Sequence, residues 1–154
     1  MNIAVFPGSF DPITKGHEDI VFRILPLFDK IIIAIGENNE KKTLFTLEQR
    51  ISWIKECFQK EDKIEVQSYK GLTVNFCREV NAQYMIRGIR NSNDFHYEKD
   101  IAQINKILAP HVETIFLTTT LPYSAISSTI IRDIYIHNGD FKQFMPNNIT
   151  FHED

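Results

Sequence analysis

The chain has 154 residues, 43% of them apolar and 24% charged, with a net charge of −3. That length suits a single domain, 1–154, with a substantial core, and no apolar run approaches the roughly 20 residues that cross a bilayer. The mild acidity argues against a general nucleic-acid binder, which carries a basic excess. No basic region followed by a long apolar segment stands at the N-terminus, so the expectation is a cytoplasmic protein without membrane association. Cys57 and Cys77 are far apart in helix-like amphipathic segments and are expected as buried, reduced thiols.

Apolar runs and amphipathic stretches alternate along the chain. Residues 3–6 read as a strand that breaks into Pro7-Gly8-Ser9, and Thr14-Lys15-Gly16-His17 precedes a helix from residue 17 to about 25. That helix carries Ile20, Val21, Ile24 and Leu25 on one face, and Pro26, which lacks an N–H, should end it. A second strand, 31–35, leads into the polar loop ENNEKKTLF, and Thr46-Leu47-Glu48-Gln49 is a capping box opening the next helix. Residues 64–69 and 84–86 read as strands, 95–108 as a helix and 114–117 as the fifth strand. A last helix, 127–137, stops at Asn138-Gly139, and the residues after Pro146 are expected to form a surface tail or short helix. The order βαβαβαβαβα predicts a doubly wound α/β fold: a five-stranded parallel sheet with helices on both faces and right-handed crossovers. Ligands of such sheets lie beyond the carboxyl ends of the strands, where the ends of the first, fourth and fifth strands can converge on one crevice.

Three segments carry chemistry. In the first, glycines let backbone N–H groups approach an anion at a helix start, and His17 stands where a phosphate would lie. Its protonation state is open, since the helix terminus disfavours imidazolium and bound phosphate favours it. In the second, Arg87 and Arg90 are expected just past the fourth strand, with Gly88 allowing close approach and two planar forks suited to phosphate oxygens. Asp94 there is expected only to complement the helix N-terminus. In the third, Ser127, Ser128 and Thr129 gather hydroxyls and N–H groups at a helix N-terminus, more than one N-cap requires. Arg132 one turn later faces either that anion or solvent. Lys15, Lys41 and Lys42 are cations near strand-to-helix boundaries that could equally be solvated surface. No cluster of His, Cys and carboxylates has metal-site spacing, so no metal ligands are expected, and His96, His111, His137 and His152 are expected to be surface or partly buried.

The string PGSFDPITKGH resembles the (H/T)xGH signature of the nucleotidylyltransferase superfamily, with its Rossmann-like fold. Together with RGIRNSNDFHYE and YSAISSTIIR it is similar to the bacterial phosphopantetheine adenylyltransferases, over most of the chain. The resemblance implies transfer of the adenylyl group of ATP to 4′-phosphopantetheine, giving dephospho-coenzyme A and pyrophosphate, by in-line attack without a covalent enzyme intermediate. It further implies that His17 stabilises the transition state and that Ser9 and Phe10 meet the ATP phosphates, Ser9 also touching the acceptor. Gly88, Ile89, Arg90, Glu98 and the loop Tyr123, Ser124, Ala125, Ile126, Ser127, Ser128 and Thr129 would hold ATP. Lys41, Thr73, Arg87 and Asn105 would hold phosphopantetheine. Mg²⁺ would arrive with ATP, the assembly would be a homohexamer, and coenzyme A could act in feedback. Ser9 stands where threonine is usual and Tyr123 where tryptophan is common; each keeps the hydroxyl or aromatic surface. Cytidylyltransferases and nicotinate or nicotinamide mononucleotide adenylyltransferases are the runner-up readings, and a nucleotide-binding sensor without turnover is the rival from another class.

Overall fold

The computed structural model describes residues 1–38 and 40–151; His152 lies outside the described residues. Five parallel strands, β1 (Ile3–Gly8), β2 (Lys30–Gly36), β3 (Ile64–Tyr69), β4 (Tyr84–Ile89) and β5 (Glu113–Thr118), form one sheet in the order β3-β2-β1-β4-β5. They alternate with α1 (Lys15–Ile24), α2 (Leu47–Cys57), α3 (Thr73–Glu79), α4 (Ser92–Leu108) and α5 (Ser128–Ile136). The doubly wound fold expected from the alternation is the one observed. Because the chain runs outward from β1 to β3 on one side and from β4 to β5 on the other, the crevice between the carboxyl ends of β1 and β4 is the switch point of the sheet.

Both faces of the sheet are covered, so its central strands are apolar on both sides. Ala4, Phe6, Ile31, Ile33, Ile35 and Ile86 face a core completed by Ile20, Val21 and Ile24 of α1 and Ile54 of α2. The alternate residues Val5, Ile32, Ala34 and Met85 face a second core with Val74, Phe76 and Cys77 of α3. Cys57 and Cys77 are buried free thiols, one in each core, and burial pushes the Cys77 thiol up to about 11.

Element ends follow the local signals closely. Pro26 falls in a 3₁₀ turn, Leu25–Leu27, directly after α1. Thr46 and Gln49 make the reciprocal capping box of α2. Asn138 adopts a left-handed φ of 60°, with its N–H on the Tyr135 carbonyl and that of Gly139 on the Ile134 carbonyl, a Schellman motif closing α5. Two expected strand ends move, and α4 starts at Ser92 rather than residue 95, with Asn91 as its N-cap. β1 continues through Pro7 and Gly8, which pair in register with Ala34 and Ile35, so the turn begins only at Ser9. β4 runs to Ile89, so Arg87 and Gly88 lie within the strand rather than past it. An arginine and a glycine weaken the strand signal in isolation, but β5 pairs with both.

The segment from Met145 to Phe151 is neither a surface tail nor a helix. Met145 is fully buried and Ile149 is 7% exposed, both within the core under α1 and α2. Asn148 Nδ2 donates to the carbonyls of Glu56 and Cys57 at 3.1 and 2.7 Å, satisfying the open end of α2. Phe45, Trp53, Phe151, Phe141 and Tyr135 close a ring of aromatic contacts, with centroids 4.8–5.8 Å apart, that ties this segment to α2 and α5. Among the described residues no helix is long and apolar enough to cross a membrane.

Met145→Ala is expected to lower unfolding free energy by about 2–4 kcal/mol, as for a fully enclosed side chain. Gln143→Ala, two residues away, should change it by less than about 0.5 kcal/mol. Equal urea midpoints for the two variants would refute the docking of this segment.

Candidate active site

At the switch point lies a cleft of about 310 Å³, lined by Pro7, Gly8, Ser9 and Phe10 from the β1 end, His17 and Ile20 from α1, Arg87, Gly88 and Arg90 from β4 and the turn after it, and Ile126 to Thr129 at the start of α5. Two consecutive β4 residues serve it from opposite faces of the sheet. Gly88 points toward α1, where an added Cβ would lie 2.5 Å from Ile20 Cδ1. Arg87 points toward α4. There its Nε donates to Glu98 Oε2 at 2.8 Å, Nη2 to Glu98 Oε1, and Nη1 to the Pro7 carbonyl at 2.9 Å. Glu98 is buried, and this two-point ion pair is what admits its carboxylate to the interior. Two of the five guanidinium N–H groups remain for an anion.

His17 is the third residue of α1, and its ring closes the cap of its own helix. Thr14 Oγ1 accepts from the His17 N–H at 3.2 Å, while the Thr14 N–H donates to His17 Nδ1 at 3.0 Å. This is a capping box with histidine in the place usually taken by Glu or Gln. Because Nδ1 accepts, the proton of the neutral ring sits on Nε2, away from the cap. Phe6 and Phe10 pack edgewise on the ring with centroids 6.1 and 5.0 Å away. Desolvation first, and then the positive charges of Arg87 and Arg90, lower its pKa from 6.5 to about 4. The ring is therefore a neutral N–H donor at physiological pH.

The turn that follows β1 is unusual in its backbone. Phe10 has a φ of +47°, a left-handed conformation rare for a bulky residue, held by burial of its ring against Phe6 and His17. Its ring also covers Gly8, where a Cβ would sit 3.1 Å from it. Lys41 Nζ donates to Ser9 Oγ at 3.0 Å, bringing the polar loop after β2 across the mouth of the cleft. Lys42 does not line it. At the far wall Ser127 caps α5 through the Ile130 N–H, Ser128 Oγ donates to the Pro12 carbonyl at 2.8 Å, and Arg132 Nη1 donates to the Asp11 carbonyl at 2.8 Å.

Four cations, Lys41, Arg87, Arg90 and Arg132, line the cleft against two carboxylates, and both carboxylates are paired with arginine. Asp94 does more than complement the α4 terminus: its Oδ2 accepts from both the backbone N–H and Nε of Arg90, at 3.0 and 3.1 Å. The lining thus favours a polyanion. A smaller cavity of about 160 Å³ adjoins it, lined by Pro7, Thr73, Met85, Arg87, Glu98 and Asn105 among others, so that Arg87 and Glu98 form the partition. Of the residues singled out in the sequence, Ser9, Phe10, His17, Lys41, Arg87, Gly88, Arg90, Glu98 and Ile126 to Thr129 meet at the larger cleft. Thr73 and Asn105 meet at the smaller one. Ile89 is buried, and Tyr123, Ser124 and Ala125 stand beyond the cleft lining, with the Tyr123 Cβ beside Gly16. His96, His111 and His137 are exposed. Sequence reasoning missed Asp11 and Arg50, buried charges beside the turn; an isolated Asp-Pro and a helical Arg offered no signal.

A family model described as cytidylyltransferase-like matches residues 5–134. The chain is 53% identical over 147 residues to a protein of Cytophaga hutchinsonii named phosphopantetheine adenylyltransferase, covering 96% of this chain and 98% of that one. Like-named proteins of Flavobacterium psychrophilum and Clostridium perfringens are 51% and 44% identical, covering 95% and 97% of this chain and 96% and 92% of theirs. The chain belongs to the phosphopantetheine adenylyltransferase family. Family membership accords with a polyanion cleft at the switch point. A solved bifunctional NMN adenylyltransferase/ADP ribose pyrophosphatase of Francisella tularensis shares the fold, with a TM-score of 0.74 at 21% identity. The alignment covers 96% of this chain and 46% of that one, so the chain spans about half of that protein's length.

Neutrality of His17 has a consequence for stability. The unfolded chain protonates this imidazole near 6.5 and the folded protein only near 4, so between these values the unfolded state binds more protons and stability falls as pH drops. His17→Gln retains the capping acceptor and removes the titration. The difference in urea midpoint between variant and parent should therefore shift in favour of the variant from pH 6.5 to 4; a constant difference refutes the buried neutral ring.

Proposed function

We propose that the protein transfers the adenylyl group of ATP to 4′-phosphopantetheine, producing dephospho-coenzyme A and pyrophosphate. The observation that carries this is the neutral His17 N–H donor held in a cation-lined cleft at the switch point, in a chain about half identical to relatives bearing that name. An oxygen of the acceptor phosphate attacks the α-phosphorus in line as the bond to the bridging oxygen of the β-phosphate breaks. The attacking group is already an anion, so no base and no covalent intermediate are required. Catalysis then consists of positioning and of neutralising charge on the phosphoryl oxygens.

His17 Nε2–H donates to the α-phosphate as its charge develops. Ser9 and Phe10 meet the nucleotide phosphates through the backbone of their turn, and the α5 N-terminus at Ser127, Ser128 and Thr129 takes the β- and γ-phosphates. Gly88, Ile89, Arg90, Glu98 and the segment Tyr123 to Ile126 complete the ATP site. Lys41, Ser9 and Arg87 hold the acceptor phosphate, and its pantetheine arm enters the smaller cavity beside Thr73 and Asn105. Mg²⁺ comes as part of the nucleotide substrate. Among the described residues no three His, Cys, Asp or Glu side chains gather as ligands, and both cleft carboxylates are paired with arginine; hydroxyls, amides and cations of this kind suit phosphates that bring their own metal. The same reading includes one domain, 1–154, a cytoplasmic setting, feedback by coenzyme A through its shared pantetheine arm, and a homohexamer. For the last, α4 offers Ile104, Ile107 and Leu108, which are 57%, 74% and 48% exposed.

Incubation with ATP and 4′-phosphopantetheine should release pyrophosphate, whereas nicotinamide mononucleotide with ATP, or glycerol 3-phosphate with CTP, should not. Binding of both substrates without pyrophosphate would sink the proposal. His17→Ala should lower kcat about 10²-fold or more with little change in ATP affinity, the loss of one preorganised donor. Arg87→Ala should mainly raise KM for the acceptor; an effect confined to ATP would reverse the assignment.

A further inference from the structure

Two charged side chains are almost wholly buried beside the cleft without lining it: Asp11, 3% exposed, and Arg50, 5% exposed. Burying a charge is costly unless its polar atoms are partnered, and apart from a 4.0 Å ion pair between Asp11 and Arg132 of α5 the side-chain partners here belong to two segments. Asp11 Oδ2 accepts the N–H of Leu44 and Oδ1 that of Phe45, both at 2.9 Å. Arg50 Nη1 donates to the Ser9 carbonyl at 2.7 Å and its Nε to the Phe45 carbonyl at 3.2 Å. Each side chain thus bridges the turn after β1 to the end of the loop that carries Lys41. One bridge starts from the turn and one from α2, so the loop end is held from two sides.

We infer that Asp11 and Arg50 are positioning residues that clamp the Lys41 loop to the phosphate turn, so that the Lys41 ammonium and the Ser9 hydroxyl are presented together to the acceptor phosphate. The inference rests on the adenylyl-transfer reading above. Residues 37–43 are all polar in sequence; the Glu37 N–H is held at the near end by the Tyr69 carbonyl of β3 at 2.8 Å, and Leu44 and Phe45 are fixed at the far end by this clamp. Lys41 lies three residues before the first clamped N–H and meets Ser9 Oγ, two residues before Asp11. A long, flexible ammonium side chain reaches one geometry reproducibly only if its backbone is held. The carboxylate is specifically required. Asn in its place keeps one acceptor oxygen but turns an NH₂ toward the other backbone N–H, leaving a buried donor without a partner. Lys in place of Arg50 keeps the charge but cannot bond the Ser9 and Phe45 carbonyls with one planar fork.

A double-mutant cycle reads whether these residues act through Lys41. Asp11→Asn and Arg50→Lys, each alone, should raise KM for 4′-phosphopantetheine by about tenfold and KM for ATP by less than about threefold. In a Lys41→Ala background the same substitutions should raise acceptor KM by less than about twofold, because the group they position is gone. Equal factors in both backgrounds, or equal rises in KM for both substrates, would overturn the clamp. If Asp11→Asn does not accumulate as folded protein, the Arg50→Lys cycle decides alone. Absence of pyrophosphate release by the parent protein would instead refute the functional reading, leaving the two failures distinguishable.

Discussion

The hydrogen bond from the Thr14 N–H to His17 Nδ1 joins secondary structure to chemistry in a single contact. It satisfies a backbone donor at the start of α1, which would otherwise need water in a place where Thr14 is buried. It also settles the tautomer, leaving the ring proton on Nε2. With Phe6 and Phe10 packed on the ring and Arg87 and Arg90 nearby, the imidazolium is disfavoured, so the site holds a neutral donor ahead of any substrate. The sharp left-handed turn at Phe10 is a cost accepted for this packing, since that residue's ring must fold back over Gly8 to reach His17.

Around that donor the pleat of β4 distributes labour between the two faces of the sheet. Residues 87 and 88 point oppositely, so α1 can approach across the bare Gly88 while Arg87 leans the other way to meet Glu98 of α4. The ion pair does not simply stabilise the fold. It orients one guanidinium between two cavities, one rich in cations and hydroxyls and one narrower. Asp94 does the same for Arg90 at the surface, where screening makes its contribution to stability small and its effect on orientation the more important one.

Much of this was legible in advance because it is local. The Thr46–Gln49 capping box, the Pro26 stop and the Asn138-Gly139 terminus are each decided within a few residues, and each appears where its chemistry requires. The misread features are non-local. β4 extends over Arg87 and Gly88 because β5 supplies hydrogen-bond partners across the ladder, a fact absent from the local sequence. The segment after Pro146 is polar in pattern, yet Asn148 finds the open carbonyls of α2, more than ninety residues away, and Ile149 follows it inward. Asp11 and Arg50 are non-local for the same reason: apart from the Phe45 carbonyl that Arg50 meets five residues away, their backbone partners are 33 to 41 residues distant.

The sequence by itself determined the alternation of strands and helices, hence the doubly wound sheet and the crevice at its switch point, because periodicity and capping are encoded at short range. Residue type in PGSFDPITKGH, RGIRNSNDFHYE and YSAISST also pointed to most of the side chains that line the cleft, although Ile89 and Tyr123 to Ala125 stand outside it. Tertiary structure alone decided the states and alignments of those residues. Burial made His17 neutral, the pleat sent Arg87 to Glu98, and two buried charges fastened the Lys41 loop to the turn. Desolvation and long-range hydrogen bonding depend on what surrounds a group in space, and no spacing along the chain specifies that.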